Sequence, residues 1–132
     1  MRNNKEYELC KAISTYLCLQ YPKVLFHFDL AGLNLSMAQA GMNKAIQKRK
    51  GFPDLFIMEP KNSYNGLFLE LKAEGVKLTK RDGNWINDHI KEQADYLCEL
   101  QERGFDAKFS IGFDETKINL DNYLCKTTLK ST

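Results

Sequence analysis

Three charged residues, Asp54, Glu70 and Lys72, have the types and spacing needed for metal-dependent chemistry. They lie in or beside two short apolar segments, which we interpret as strands because they are too short for helices. If a turn near Asn62 joins the strands, antiparallel pairing places Asp54 opposite Glu70, with Cβ atoms roughly 4.5 to 5.5 Å apart. Side chains alternate along a strand, so Lys72 shares the face of Glu70. The pattern predicts that two carboxylates and an ammonium group converge.

Two facing carboxylates destabilise a sheet unless a cation lies between them. Ligation by oxygen atoms alone favours Mg²⁺, with Mn²⁺ as a substitute, over zinc, which prefers His or Cys. Lys72 could then orient a water and offset the charge of a phosphate. The alternative is a surface hairpin with solvated charges. Both strands are otherwise apolar on both faces, which favours the metal site.

Hydrophobic periodicity predicts an alternation of helices and strands around this hairpin. Within the hairpin, Phe56 should face Phe68. Asn4 and Ser36 are the predicted amino-terminal caps of the first two helices. Helices are predicted at Lys5–Leu19, from Ser36 to Arg49, at Asn87–Arg103 and at Asp114–Leu124, and strands at Val24–Asp29, Leu55–Met58, Leu67–Leu71 and Phe105–Phe113.

Basic residues flank the predicted carboxylate pair in the sequence. Four of them end the helix before Asp54, although the helix macrodipole alone favours cations at that end. Three more lie in the polar segment 73–84, which we interpret as a mobile loop because it has glycines and no periodicity. Both groups could contact a polyanionic substrate. They are Lys44, Lys48, Arg49, Lys50, Lys77, Lys80 and Arg81.

Gln93 is a polar residue on the apolar face of the helix predicted after the hairpin. It lies one turn after Ile90 and one turn before Leu97, so its amide needs a hydrogen-bond partner in the core. A structural hydrogen bond and a role in a functional site both fit this position.

The composition is that of a soluble globular protein, with 132 residues and a net charge of +2, which is too small to identify a nucleic-acid partner. We expect one domain, residues 1–132. No apolar run is long enough to cross a bilayer and the amino terminus lacks a signal-peptide core, so a cytoplasmic protein is expected. The four cysteines lack the spacing of a zinc site and are expected to be free, mostly buried thiols.

These features resemble the PD-(D/E)xK nuclease superfamily and, within it, the VRR-NUC group, particularly its small stand-alone members of phage type. The resemblance rests on Gly51-Phe52-Pro53-Asp54-Leu55, on Leu69-Glu70-Leu71-Lys72 and on Glu92-Gln93. It implies an α/β fold of the restriction-endonuclease type: a mixed sheet flanked by helices, with an αβββαβ core, an inserted helix and a carboxyl-terminal helix.

The resemblance also implies a role for each residue of these motifs. Asp54 and Glu70 look like the metal ligands, with the Leu71 carbonyl as a third. Lys72 looks like the residue that positions the attacking water and stabilises the pentavalent phosphate. Gln93 is similar to the active-site glutamine in the helix that follows the Glu-x-Lys strand.

The resemblance places a further acidic residue of the first helix near the metal. Glu6 fits this position because Leu9 and Ile13 follow it at helical spacing, and Glu8 is the alternative. His27 and His89 are given no catalytic role, because structural or solvent-exposed positions are favoured for both.

The implied function is Mg²⁺-dependent hydrolysis of DNA by a structure-specific endonuclease. Small VRR-NUC proteins resemble Holliday junction resolvases, so we expect branched DNA as the substrate and a homodimer that supplies two sites for two cuts. The alternatives are a flap nuclease or general DNA nuclease, and a catalytically silent DNA-binding module of the same fold. The expected location is the cytoplasm of a bacterial or phage-infected cell.

Overall fold

The computed structural model describes residues 4–29 and 35–130. Within these ranges the chain forms four helices and four strands, in the order predicted from the sequence. No helix of the described part is long and apolar enough to cross a membrane. The elements are α1 (Asn4–Gln20), β1 (Phe26–Phe28), α2 (Met37–Ala45), β2 (Leu55–Ile57), β3 (Leu67–Lys72), α3 (Asp88–Glu102), β4 (Asp106–Ile111) and α4 (Gly112–Lys130).

The strands form one mixed sheet in the order β1-β2-β3-β4, in which β2 is antiparallel to both its neighbours and β4 is parallel to β3. Phe56 pairs with Phe68, which confirms the predicted register of the hairpin. Their rings stack with centroids 4.2 Å apart. The turn contains Asn62 and Ser63, whose φ angles of 55° and 73° are typical of a two-residue turn that matches the twist of paired strands.

Helices cover both faces of this sheet. The odd-numbered leucines of β3 belong to a core with α1 and α4, whereas Phe68 packs with Leu97 of α3 on the opposite face. Because side chains alternate along a strand, Glu70 and Lys72 lie on the α3 face with Phe68. The charged residues of β3 are therefore held between the sheet and α3.

The second helix is shorter than predicted, since it ends at Ala45 rather than near Arg49. Ser36 caps it as predicted: its Oγ accepts from the Gln39 N–H at 3.1 Å, and the Gln39 side chain accepts from the Ser36 N–H at 3.0 Å. Within α2, which is described in full, no residue is buried. Most helical stability in proteins comes from tertiary packing. Because α2 has no buried residues, it lacks the packing that would stabilise further helical turns through residues 46–49.

Segment 73–84, predicted to be a mobile loop, lies between β3 and α3 and contains no strand or helix, although an isolated bridge closes a small turn in it; its mobility stays a prediction. Thr79 pairs with Trp85 in an antiparallel bridge, and the Lys80 N–H donates to the Asn84 carbonyl at 2.8 Å. The Trp85 ring lies 5.9 Å, centroid to centroid, from the Phe109 ring of β4. This ring contact comes from one residue, and one residue has no periodicity from which the contact could be predicted.

Several other boundaries differ from the prediction, and α4 runs to Lys130 rather than ending at Leu124. Strand β1 covers Phe26–Phe28 of the predicted Val24–Asp29, and Asn4, predicted as a cap, belongs to α1 itself. Helix α4 begins at Gly112 rather than Asp114. The φ angle of Gly112 is +81°, a conformation that glycine adopts readily, so the chain passes directly from β4 into α4.

All four cysteines lie in the described ranges, and none forms a disulfide. The prediction that most of them are buried was wrong, because Cys18, Cys98 and Cys125 are exposed. Each of these three directly follows a buried leucine, which takes the inward position on its helix.

Candidate active site

Asp54 lies directly before β2 and is only 5% exposed. Its Oδ2 accepts a hydrogen bond from the Leu71 N–H of β3 at 2.8 Å. On its other side, the Asp54 carbonyl accepts from the Asp29 N–H, just after β1, at 2.8 Å. Continued by one residue, the register of β2 and β3 sets Asp54 opposite Glu70. The β3 side therefore holds the carboxylate of Asp54, and the β1 side holds its backbone.

Glu70 and Lys72 project from β3 toward α3 and are 3% and 6% exposed. The Lys72 Nζ lies 3.7 Å from Glu70 Oε2, a distance of an ion pair rather than a hydrogen bond. Burial of an ion costs on the order of several kcal/mol of desolvation free energy. A single ion pair, such as the one between Lys72 and Glu70, offsets this cost only in part. The alternative of a surface hairpin with solvated charges is therefore wrong.

Gln93 of α3 contacts this cluster directly. Its Nε2 donates to Glu70 Oε2 at 2.9 Å, and the residue is 6% exposed. Its Oε1 is buried and accepts no hydrogen bond from any residue that the structure describes. An unsatisfied buried acceptor costs about 1–3 kcal/mol, and such exceptions in folded proteins need an explanation.

His89 was given no role from the sequence, yet it lies next to Gln93. The His89 Nε2 is 3.3 Å from the Gln93 Nε2. The signal that could have found it is the spacing of four residues, which puts two side chains on neighbouring turns of one helix face. His89 itself is exposed, so it connects the buried amide to the surface.

Gly51 explains why the segment before Asp54 reaches α3. Its φ is +92°, and a Cβ atom at this position would lie 3.2 Å from the Glu92 carbonyl oxygen and 3.5 Å from the Gln93 nitrogen. Glycine is therefore needed twice, for the backbone conformation and for the close approach. This contact holds the backbone of Gln93 against the segment that carries Asp54.

The predicted acidic residue of the first helix is not gathered with the other two carboxylates. Glu6 lies in the first turn of α1 and is half-buried, whereas Glu8 is exposed and lines a surface cleft with Glu74. Among the described residues, no three His, Cys, Asp or Glu side chains lie close enough together to hold a metal ion. The role of Glu6 or Glu8 stays a prediction.

All seven basic residues are exposed, but one of them, Arg49, also docks against α3. Arg49 donates to Glu99 Oε2 of α3 at 2.7 Å, and its guanidinium lies 4.3 Å from the centre of the Tyr96 ring. Its contacts therefore tie the segment before Gly51 to α3. The other six are Lys44, Lys48, Lys50, Lys77, Lys80 and Arg81.

The donors in this cluster fit a hard divalent cation. Asp54 and Glu70 supply carboxylate oxygens, and no imidazole or thiolate ligand that would favour zinc joins them within the described ranges. The N–H and the carbonyl of a strand residue point toward the same neighbouring strand. Because the Leu71 N–H binds Asp54, the Leu71 carbonyl also points to that side and can act as a third oxygen donor.

Comparison with known protein families identifies the domain. The family model described as the VRR-NUC domain matches residues 30–109, more than half of the chain. The chain belongs to the VRR-NUC family. The matched range contains all four buried polar residues of the cluster, Asp54, Glu70, Lys72 and Gln93, but not Glu6.

A solved structure described as a VRR_NUC domain protein shares this fold with a TM-score of 0.66. The two chains are 20% identical, and the match covers 94% of this chain and 91% of the other. The predicted fold class, a mixed sheet flanked by helices as in restriction endonucleases, is confirmed. No match was found among proteins of curated function. VRR-NUC is a nuclease-type domain, and this chain has its sheet and its helices.

Proposed function

We propose that this protein is a metal-dependent endonuclease that hydrolyses phosphodiester bonds of branched DNA. The observation that carries the proposal is the buried cluster of Asp54, Glu70, Lys72 and Gln93 in a VRR-NUC fold. Two carboxylates and a lysine buried together are expensive for folding alone. Gln93 adds an unsatisfied acceptor at the same place.

Each residue of the cluster has a distinct part in this proposal. Asp54, Glu70 and the Leu71 carbonyl would hold Mg²⁺, or Mn²⁺ in its place. When bound, the cation would lower the pKa of a water molecule and neutralise charge on the phosphate. The Lys72 ammonium, whose three N–H groups are donors, contacts the phosphate oxygens as their charge grows. The Gln93 Oε1 accepts from the attacking water and sets its direction.

The proposed substrate is polyanionic and large, so its contacts must extend beyond this cluster. The exposed basic residues on either side of it in sequence are the proposed DNA contacts: Lys44, Lys48, Lys50, Lys77, Lys80 and Arg81. Arg49 supports them by holding the preceding segment on α3. Resolution of a four-way junction takes two symmetrical cuts, so we propose a homodimer with one site in each subunit.

Cleavage assays with a set of matched substrates test the proposal. The protein is incubated with end-labelled four-way junction, flap and linear duplex DNA, with Mg²⁺, with Mn²⁺ or with EDTA. We expect cutting that needs the metal and is fastest on the junction. Preferential cutting of the flap or the duplex would point to the other nuclease classes, and binding without any cutting would point to a silent DNA-binding module.

Two variants test the site assignment in the same assay. Glu70→Gln removes one charge while keeping the shape, and we expect cleavage to fall by about a thousandfold, the loss of roughly 4 kcal/mol of transition-state stabilisation. Glu74→Gln makes the same change on an exposed residue four positions further on and should cut at the normal rate. Full activity of Glu70→Gln would contradict the assignment.

The dimer is tested by light scattering at micromolar concentration, with and without junction DNA. We expect the mass of two subunits in at least the DNA-bound sample. A single subunit in both samples would contradict the two-cut mechanism but would leave hydrolysis by one subunit intact.

A further inference from the structure

The contacts of the Gln93 amide define its orientation. Its nitrogen lies 2.9 Å from Glu70 Oε2 and 3.3 Å from His89 Nε2. A carboxylate oxygen accepts hydrogen bonds, so the NH₂ end of the amide, rather than its oxygen, faces Glu70. The two N–H groups of an amide lie in its plane and point about 120° apart, so two acceptors can be served at once.

The same contact bears on the tautomer of the histidine. An amide nitrogen donates and does not accept, so a hydrogen bond between Gln93 Nε2 and His89 Nε2 needs a lone pair on the imidazole nitrogen. The neutral ring then carries its proton on Nδ1. The tautomer of a histidine is set by its hydrogen bonds in this way.

We infer that His89 is a positioning residue, whose Nε2 lone pair fixes the plane of the Gln93 amide and aims Gln93 Oε1 into the catalytic cluster. This inference deepens the proposed function and rests on it for its catalytic consequence. If Glu70 were the only acceptor, the Gln93 amide could rotate about that one hydrogen bond, and the position of its oxygen would not be fixed. With His89 as the second acceptor, the plane is set by two points, and the buried Oε1 has one direction.

This arrangement accounts for two observations together. The buried Oε1 keeps its orientation without a partner of its own, because both hydrogens at the other end of the amide are engaged. His89 is exposed, at the second position of α3, and packs no core, so fold stability gives little reason for its contact with Gln93.

A spectroscopic measurement tests the inference without metal or DNA. Long-range proton–nitrogen NMR correlations of the unliganded protein report which ring nitrogen carries the proton. We expect the neutral His89 ring to be held as the Nδ1–H tautomer, and His27, exposed on β1, is the internal comparison. A proton on His89 Nε2 in the neutral ring would overturn the inference.

Three variants test the catalytic consequence. His89→Leu removes the acceptor, and we expect single-turnover cleavage to fall about tenfold, the loss of one hydrogen bond, with unchanged DNA affinity. His89→Gln restores an acceptor near the position of Nε2 and should recover cleavage to within about threefold of the native rate. His27→Leu is the matched control and should cut normally.

The outcomes separate this inference from the proposed function. If the native protein cuts nothing, the proposed function fails, and the tautomer measurement still decides the contact of His89. If the native protein cuts and His89→Leu cuts equally fast, the positioning role is wrong. A His89→Gln variant as slow as His89→Leu would also contradict it, since the lost feature would then be something other than the acceptor.

Discussion

The two faces of the sheet each carry a cluster of polar side chains, and the clusters differ in whether their hydrogen bonds are complete. On the α1 and α4 side, Asp121 Oδ1 accepts from the hydroxyls of Tyr16 at 2.6 Å and Tyr21 at 2.7 Å. Lys117 lies 3.5 Å from the other carboxylate oxygen. On the α3 side, by contrast, Gln93 Oε1 has no partner among the described residues. The polar groups that join helices have their hydrogen bonds complete, whereas the cluster proposed for catalysis contains an acceptor, Gln93 Oε1, without a hydrogen bond from the described residues.

The electrostatics of the saturated cluster agree with a structural role. Burial, supported by the hydrogen bond to Asp121, raises the pKa of Tyr16 to about 12 and raises the pKa of Tyr21 further. Burial alone would raise the pKa of Asp121 as well, but the hydrogen bonds from both tyrosines outweigh it and hold that pKa below 3.8. Each partner therefore keeps the protonation state that the other needs.

The largest expected contrast between the two clusters comes from Asp54→Asn. Cleavage should fall by about a thousandfold because one carboxylate ligand is lost. Stability should hold, since the amide oxygen can still accept from the Leu71 N–H and the repulsion from Glu70 is removed. Cleavage rates and urea unfolding of the same preparation measure both effects. A large fall in the free energy of unfolding of Asp54→Asn would mean that Asp54 mainly stabilises the fold.

The opposite pattern is expected for Asp121→Ala. Loss of two hydrogen bonds to a charged acceptor should lower the free energy of unfolding by about 2 kcal/mol, with cleavage unchanged. The native pKa of Asp121 lies below its unfolded value of 3.8, so its contribution is complete above that pH and is lost as the pH falls through the native pKa. The difference between variant and native protein should therefore shrink in acid. Asn122→Ala, at the exposed neighbouring position, is the control, and an equal loss there would contradict the assignment.

The parts of the molecule that were predictable from sequence are those set by local pattern. The hairpin register follows from two apolar runs and one turn, so the facing of Phe56 and Phe68 is predictable from the residue order alone. The inward position of Gln93 followed from helical spacing in the same way. The order of helices and strands was likewise predictable from local hydrophobic patterns.

The parts that were not predictable depend on contacts between distant segments. The end of α2 at Ala45 reflects the lack of buried residues on this helix, and the turn around Thr79 is joined to β4 by a ring contact from Trp85 to Phe109. The spacing of His89 from Gln93 was visible in the sequence. It indicates a role only when the contact with Glu70 shows that the NH₂ group of the amide, rather than its oxygen, faces Glu70 and His89.

Gly51→Ala tests how the α3 face is assembled, and Gly83 provides a matched control. Both glycines have φ angles of +92°, but a Cβ at Gly51 would lie 3.2 Å from the Glu92 carbonyl oxygen, whereas at Gly83 no described atom lies within 4 Å. Gly83→Ala should therefore cost only the conformational strain, about 1 kcal/mol. Gly51→Ala should cost about 1 kcal/mol more, and because it displaces α3 at Gln93 it should also slow cleavage. Equal unfolding free energies for the two variants would mean that α3 can shift to accommodate the Cβ at position 51 without loss of stability.

The smallest expected effect is alkaline destabilisation through the saturated cluster. The unfolded chain loses the Tyr16 proton near pH 10, whereas the folded chain keeps it to about 12. Between these values the unfolded state binds fewer protons, so the free energy of unfolding falls as the pH rises. Tyr16→Phe should flatten this decline, with Tyr7→Phe as the control for removing a hydroxyl from the exposed side of the same helix. Unfolding by urea at pH 9, 10 and 11 measures the slope. An unchanged slope in Tyr16→Phe would show that the alkaline transition starts elsewhere, and would remove one reason for treating the α1 and α4 face as the structural half of the molecule.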